Sequence, residues 1–208
     1  TLVFGGIYLA STGVTLWLVY PILIFGFYTT FTLLHDATHR ALSSNKYLND
    51  FLGTIAGTIL FPFVTTTVYR YIHLTHHRYV GDKDLDPDAA MVGIPTKYFP
   101  IGYLVLFIYD FYAFSWLVTK VWDRTPINVR RGFIITLIGN VVFNVIILSS
   151  PYWYVYLLWY FIPNRLGVGL TTFLFAHLPH PDEVRWHEHP FQATYSLTGN
   201  LLTKDRKS

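Results

Sequence analysis

The sequence predicts an all-α integral membrane protein, a helical bundle with four transmembrane helices arranged in two hairpins. Three observations predict this class. Of the 208 residues, 52% are apolar and only 13% are charged, about half the ~25% charged fraction that is usual in soluble domains. Residues 2–34 contain no Asp, Glu, Lys or Arg. Largely apolar stretches follow at 98–118, 132–149 and 152–178, and the chain has no cysteine for disulfides or thiolate metal sites.

The first part of the chain is predicted to form a helical hairpin. As one helix, residues 2–34 would be ~50 Å long, well beyond the ~30 Å hydrocarbon core of a bilayer. Pro21 offers a break, because proline cannot donate a hydrogen bond to the preceding turn of a helix. We therefore predict helices over about 2–18 and 21–39, with the turn at Val19-Tyr20-Pro21.

The later apolar stretches are assigned by requiring the histidines to emerge on one side of the membrane. Residues 51–66 are only 16 long and contain Pro62, which favours a re-entrant or interfacial segment over a span. Residues 132–149 and 152–178 are joined by a Ser-Ser-Pro turn and are predicted to form the second hairpin. Residues 98–118 are left at the interface, where Asp110 as a polar contact costs less than at the bilayer centre.

The basic residues indicate the orientation of this bundle. All fifteen Lys and Arg lie within 40–131 or 165–207, and basic residues favour the cytoplasmic side. The histidine face is therefore predicted to be cytoplasmic, with the Arg165 side chain extending from the last helix to the interface. The net charge of +3 is small, and we expect no nucleic-acid partner. We expect a single domain over 1–208, truncated at both ends.

The nine histidines all fall into groups. His35 and His39 occur in HDATHR, and a helix would place them on one face because they are four residues apart. The second group, HLTHH, has the spacing i, i+3 and i+4, which again defines one helical face. The groups further along are HLPH and WHEHP. The members of the last three groups are His73, His76 and His77; His177 and His180; and His187 and His189.

Imidazole nitrogens suit iron, zinc, copper and nickel, whereas calcium and magnesium prefer oxygen. Seven clustered histidines exceed the four ligands of a usual zinc site, so two metal ions are the simplest interpretation. The predicted ligands are His35, His39, His73, His76, His77, His177 and His180. A lone histidine near a membrane surface is more often an interfacial polar group, and this is the interpretation for His187 and His189.

Acidic residues accompany these histidines. A ligating histidine usually donates its second N–H to a carboxylate or a carbonyl, so nearby aspartates are candidates for that role. The candidates are Asp36, Asp82, Asp84, Asp86, Asp88 and Asp182. The alternative for the run at 82–88 is a solvated loop with a turn at Asp86-Pro87.

These motifs resemble those of the membrane fatty acid desaturase and hydroxylase superfamily. Its first box, HxxxH or HxxxxH, matches His35 to His39, and its second, HxxHH, matches His73 to His77. Members of the superfamily often carry a further ligand histidine after the fourth span, and His177 resembles it. DPD after the second box, and HLPH, also resemble the carotenoid hydroxylase and ketolase branch. The superfamily's third box, HxxHH, has no match in this sequence, and we interpret the chain as a fragment that lacks it.

The resemblance implies a di-iron oxidoreductase that uses O₂ to remove hydrogen from an unactivated C–H bond of a long-chain lipid. The implied cofactors are two non-haem iron ions, with electrons from a ferredoxin or cytochrome b5 type of carrier. The implied substrate is an acyl-lipid, acyl-CoA, acyl-ACP or carotenoid. A fatty acid desaturase is the first hypothesis and a carotenoid hydroxylase or ketolase the second. A non-catalytic membrane metal-binding or transport protein is a third, from another class.

Overall fold

The computed structural model describes residues 2–61, 64–80, 82, 84–89 and 101–177. Within these ranges the regular structure is helical and no β-strand occurs, which confirms the all-α fold class for this part of the chain. The α-helices are α1 (Leu2–Ser11), α2 (Leu16–Thr38), α3 (Lys46–Leu60), α4 (Thr66–Tyr79), α5 (Tyr109–Lys120), α6 (Ile127–Leu148), α7 (Trp153–Tyr156) and α8 (Ile162–Thr172). Short 3₁₀ and π segments connect some of them.

The first turn lies at residues 12–15, so the prediction of a turn at Val19-Tyr20-Pro21 is wrong. Gly13 adopts a φ of +83°, a left-handed conformation that glycine accepts readily and that reverses the chain between α1 and α2. Pro21 instead lies inside α2. Its missing N–H removes only one helical hydrogen bond, the one to the Trp17 carbonyl.

Two described helices, α2 and α6, are long and apolar enough to cross a membrane. They contain 23 and 22 residues, or ~34 and ~33 Å at 1.5 Å per residue. Helix α6 carries a broad exposed aliphatic surface, as expected of a helix that faces lipid. Its exposed members include Ile134, Ile135, Leu137, Ile138, Val141, Val142, Val145 and Ile146.

Helices α3 and α4 form a short hairpin that follows the first histidine box, and α4 carries the second box. Asn45 caps α3 by accepting hydrogen bonds from the backbone N–H groups of Tyr47 and Leu48, at 3.0 and 3.3 Å. Thr65 caps α4 by accepting from Val68 N at 3.4 Å. With 15 residues, α3 is ~22 Å long, shorter than the hydrocarbon core, in keeping with a segment that does not cross.

The last helical run extends from Trp153 to His177 without a break. Helix α7 is followed by a π-helical turn (Leu157–Phe161), by α8, and by a second π-helical turn (Phe173–His177). Pro163 lies at the beginning of α8, directly after the first π turn, where its missing N–H is tolerated. The run carries His177 to the end of the described chain.

An ion pair joins this last run to the segment that was predicted to lie at the interface. The guanidinium of Arg165 (Nη1) lies 2.6 Å from Asp110 Oδ1 in α5, and the two side chains are only 15% and 12% exposed. Arg165 also donates from Nη2 to Asn164 Oδ1 at 2.7 Å. The interfacial position of Arg165 stays a prediction, and its charge is paired with Asp110 of the segment that is predicted to lie there.

The apolar core forms where α2, α3, α4 and α8 meet. Leu23, Phe27 and Leu34 of α2 are completely buried. Their neighbours across the helix interfaces include Leu60, Val64, Val68, Ile72 and Val168. This packing brings the C-terminal end of α2, with the first histidine box, beside the C-terminal half of α4, with the second.

Gly167→Ala is expected to destabilise the packing of α8 on α2. A Cβ at this position would lie 2.6 Å from Phe27 Cβ and 3.2 Å from the Ile24 carbonyl oxygen. Overpacking of this kind costs about 1–3 kcal/mol, more than the ~1 kcal/mol that alanine gains over glycine in a helix. Thermal unfolding of the purified protein would measure the loss. Gly5→Ala is the control, since nothing lies within 4 Å of its Cβ, and equal melting shifts for both variants would contradict the account.

Candidate metal centre

The first histidine box lies at the C-terminal end of α2. His35 is in the last turn of the helix and His39 is its C-cap residue. Their rings are 4.7 Å apart between centroids, as the i, i+4 spacing requires. The His35 ring also lies 6.0 Å from each of the Phe31 and Phe175 rings, so an apolar wall borders the box on one side.

The second box lies in the last two turns of α4. His73 is nearly buried, at 9% exposure, whereas His77 is exposed. Their rings are 4.5 Å apart. Tyr69, one turn before His73, stacks on the His73 ring with centroids 5.6 Å apart and planes inclined by 12°, which fixes the orientation of that imidazole.

The two boxes meet across the α2–α4 interface. His73 Nε2 lies 3.1 Å from His39 Nε2 and 3.0 Å from His77 Nε2. The His35 ring is 4.7 Å from the His73 ring. One ring nitrogen from each of these four histidines lies within 4.8 Å of the others. Residues separated by up to 42 positions along the chain thus present their nitrogens to a common point.

The chemistry of this donor set fits a bound metal ion. Each ring nitrogen of a neutral imidazole either donates one hydrogen bond or accepts one. His73 Nε2 lies close to two other Nε2 atoms, so hydrogen bonds alone do not account for both contacts. Nitrogen ligands that share an ion with bonds of ~2.0–2.1 Å lie at most ~4 Å apart, which is close to the observed spread. Imidazole is a good ligand for iron, so the four residues fit the metal that the family resemblance implies.

The buried position of His73 keeps its lone pair available to a metal. Burial, followed by the neighbouring histidines, lowers the pKa of His73 to about 2. Burial and the charge of His35 also lower the pKa of His39. Both imidazoles are therefore neutral at physiological pH, the state in which a histidine binds metal.

His76 belongs to a separate, buried acidic network. Its Nδ1 lies 2.8 Å from Asp86 Oδ1 and 3.4 Å from Asp88 Oδ2. The Tyr109 hydroxyl donates to Asp88 Oδ1 at 2.7 Å, and the backbone N–H of Asp88 donates to Asp86 Oδ1 at 2.8 Å. The three groups His76, Asp86 and Asp88 are also close enough together to hold an ion themselves.

This network favours the form of His76 in which both ring nitrogens are protonated. Burial alone lowers the pKa of His76, but Asp88 and Asp86 outweigh it and raise the pKa to about 9. A carboxylate that accepts the Nδ1 proton orients the ring, and metal binding at Nε2 requires that this nitrogen lose its own proton. Asp86 and Asp88 therefore both contact His76, and their role beside a metal ligand stays a prediction.

The other predicted acids behave differently. Asp84 is exposed and lies 3.1 Å from Lys120 Nζ, and Asp82 accepts hydrogen bonds from the backbone of Asp84 and Leu85 within a turn. Both match the solvated-loop alternative. Asp36 is half exposed and lies 3.4 Å from His35 Nδ1. Asp182 lies outside the described residues.

The remaining predicted ligands lie at or beyond the end of the described chain. His177 is nearly buried, at 9% exposure, and its ring lies 5.6 Å from the Phe173 ring. It is not among the four nitrogens that converge. His180 lies outside the described residues, as do His187 and His189.

A cavity of about 260 Å³ adjoins the histidines. Three of the converging histidines line it on one side, together with His76 and Asp88. Those three are His35, His73 and His77, and aliphatic and aromatic side chains line most of the rest. The apolar wall includes Phe31, Leu60, Phe61, Val80, Val168 and Phe175. Thr171 also lines the cavity, and its hydroxyl is the one buried side-chain polar atom without a hydrogen-bond partner among the residues that the structure describes. The cavity therefore combines a metal-ligand edge with an apolar interior.

Sequence reasoning missed two residues of this site. Tyr69 lies four positions before His73, so the same i, i+4 rule that groups the histidines places it beside the His73 ring. Tyr109 is 21 positions after Asp88 and has no local signal. Burial raises the pKa of both phenols well above the usual value, so both remain protonated.

Comparisons with known proteins agree with the family resemblance drawn from the sequence. A family model described as fatty acid desaturase matches residues 14–204. An sn-1 acyl-lipid omega-3 desaturase (ferredoxin) of Nostoc sp. (strain 36) is 36% identical over 90 residues, covering 41% of this chain and 24% of that protein. An sn-1 oleoyl-lipid 12-desaturase of Arthrospira platensis is 24% identical over 202 residues, covering 84% and 56% respectively.

Other relatives show how broad the similarity is. Dihydrorhizobitoxine desaturase of Bradyrhizobium elkanii is 38% identical over 78 residues, covering 35% of this chain and 22% of that protein. No solved structure matches the chain at a significant level. At most, the chain spans about half the length of the curated relatives that it matches.

Proposed function

This chain belongs to the fatty acid desaturase family, and from that premise we propose that it introduces a double bond into the acyl chain of a membrane lipid in an iron- and O₂-dependent reaction. The observation that supports this most strongly is the convergence of four histidine nitrogens within 4.8 Å at the edge of a largely apolar cavity. The proposed reaction needs a metal site that activates the oxidant directly beside an apolar space that holds a long hydrocarbon chain.

The four converging histidines are assigned to one metal position. His76, oriented by Asp86, and the sequence-predicted His177 and His180 are assigned to the second iron. When bound, iron supplies the activation of O₂ and the removal of hydrogen from an unactivated C–H bond. The protein's residues orient these ligands: Tyr69 stacks on His73, and the carboxylate of Asp86 accepts the Nδ1 proton of His76. Burial keeps His73 neutral, whereas His76 has to release its Nε2 proton when it binds a metal.

The cavity wall is assigned to the acyl chain. Its aromatic and aliphatic side chains exclude water and favour a hydrocarbon segment. The Thr171 hydroxyl offers a single hydrogen bond within this wall. An acyl-lipid is the proposed substrate because the relatives from Nostoc and Arthrospira are described as acyl-lipid and oleoyl-lipid desaturases.

The proposed electron donor is a ferredoxin, the carrier named for the Nostoc relative, with a cytochrome b5 type of carrier as the alternative. We place the histidine face in the cytoplasm, where such carriers occur. The distribution of basic residues supports this orientation. The proposed topology has four spans, of which α2 and α6 have the required length and apolar character.

Lipid analysis of a host that expresses the full-length gene would test this function. We expect mass spectrometry of the extracted acyl chains to show a new unsaturated species that requires O₂. A hydroxylated or ketolated carotenoid as the product would instead support the second hypothesis. An iron-loaded protein with no oxidised lipid product in a host that supplies reduced ferredoxin would overturn the proposal.

A further inference from the structure

Arg70 lies on α4, three residues before His73, and its guanidinium reaches the C-terminal end of α2. Nε donates to the Thr38 carbonyl at 2.9 Å, and Nη2 donates to the Ala37 carbonyl at 2.7 Å. Carbonyls in the last turn of a helix lack the N–H partners that a continuing helix would supply. A cation at this position also interacts favourably with the helix dipole.

Asp50 of α3 completes this arrangement. Its carboxylate accepts from Arg70 Nη2 at 2.6 Å and from Nη1 at 3.1 Å, the two-pronged geometry that arginine provides and lysine does not. The hydrogen bond from Arg70 holds the pKa of Asp50 below its usual value. Arg70 is only 16% exposed, whereas Asp50 is 40% exposed.

A second buried side chain reinforces the same junction. Asn49 is fully buried. Its amide nitrogen donates to the Ala37 carbonyl at 2.8 Å, and its amide oxygen accepts from Leu42 N at 3.2 Å. The chain that leaves α2 after His39 is therefore tied to α3, and α3 is tied to α4 through Arg70.

These contacts end beside the metal ligands on both helices. Thr38 immediately precedes His39, and Arg70 is nearly one helical turn before His73. His39 and His73 supply the 3.1 Å Nε2 to Nε2 contact that joins the two boxes. Metal sites tolerate ligand displacements of only ~0.2 Å, so the relative position of α2 and α4 directly affects metal binding.

We propose that Arg70 and Asp50 act as a positioning clamp, joining the end of α2 to α4 so that the two histidine boxes present their nitrogens to one metal ion. Neither Arg70 nor Asp50 lines the cavity or belongs to the four converging ligands. This inference rests on the proposed metal centre, and the experiment below separates a failure of the clamp from a failure of that centre.

The test measures metal affinity and folding separately in the full-length protein. Metal-free wild type, Arg70→Lys, Arg70→Met and Asp50→Asn are titrated with Fe²⁺ and with Co²⁺, whose visible spectrum reports ligand geometry. Thermal unfolding of each metal-free protein reports folding. Arg78→Lys is the matched control, because Arg78 is exposed on the same helix and its guanidinium lies 5.3 Å from the Tyr79 ring.

We expect Arg70→Met to weaken metal binding by about 10–100-fold, the usual effect of losing a residue that supports metal ligands. Arg70→Lys keeps the positive charge but loses the two-pronged contact with the Asp50 carboxylate. It should weaken metal binding less than Arg70→Met and alter the Co²⁺ spectrum. Arg78→Lys should change neither. If Arg70→Met does not fold, Arg70→Lys and Asp50→Asn carry the test.

Two outcomes would overturn the proposals in distinguishable ways. Folded clamp variants that bind metal within twofold of wild type, with an unchanged Co²⁺ spectrum, would show that Arg70 stabilises the fold without positioning the ligands. A folded wild-type protein that binds no metal through these histidines would overturn the metal centre itself.

Discussion

His73→Ala is expected to remove bound iron and reduce desaturated product below detection. His73 Nε2 lies within 3.1 Å of the ring nitrogens of both His39 and His77, so its loss leaves the centre of the cluster without a ligand. The loss of affinity should exceed the about 10–100-fold that outer partners contribute. Metal analysis of the purified full-length protein and lipid analysis of the expressing host would measure the two effects.

Leu74→Ala is the control for this variant. Leu74 is the next residue on α4 and is 44% exposed, so truncation there changes the helix without touching the ligands. Iron content and product should remain near wild type. Retention of iron and activity by His73→Ala would show that this histidine is not a ligand.

Asp110→Asn and Arg165→Met are each expected to destabilise the protein by about 3–5 kcal/mol. Each change leaves the other charge buried and unpaired, which is the costly way to break a buried ion pair. The pair is 2.6 Å apart, and both side chains are less than one-sixth exposed. Because apolar residues of similar size often replace a buried pair without loss, Asp110→Leu combined with Arg165→Met should recover much of the stability.

An exposed ion pair provides the control. Lys120 and Asp84 lie 3.1 Å apart, but their side chains are 52% and 79% exposed. Lys120→Met should therefore change stability by less than ~1 kcal/mol. Thermal or denaturant unfolding would compare the variants, and equal effects at the two pairs would contradict the interpretation that the Asp110–Arg165 pair is buried and structural.

Local rules predicted the helical class and the faces of the histidine boxes. The i, i+4 spacing of His35 and His39 and of His73 and His77 matches their arrangement in the structure. The first turn lies at Gly13 and not at Pro21. A proline near the beginning of a helix removes one hydrogen bond, whereas a glycine with positive φ allows the chain to reverse.

Long-range pairs were not predictable from local patterns. Arg165 and Asp110 are 55 residues apart, and Arg70 and Asp50 are 20 apart. No periodicity connects residues on different helices, so a single charged side chain in an apolar stretch gives no indication of its partner. The same limit applied to Tyr109, whose hydroxyl reaches Asp88 only because α5 packs against the acidic loop.

The most direct test of the central claim is an iron anomalous-difference map from crystals of the purified full-length protein. We predict a peak among the ring nitrogens of His35, His39, His73 and His77, beside the apolar cavity. An iron peak remote from these four side chains, or iron-loaded protein in which their nitrogens face away from the metal, would contradict the account.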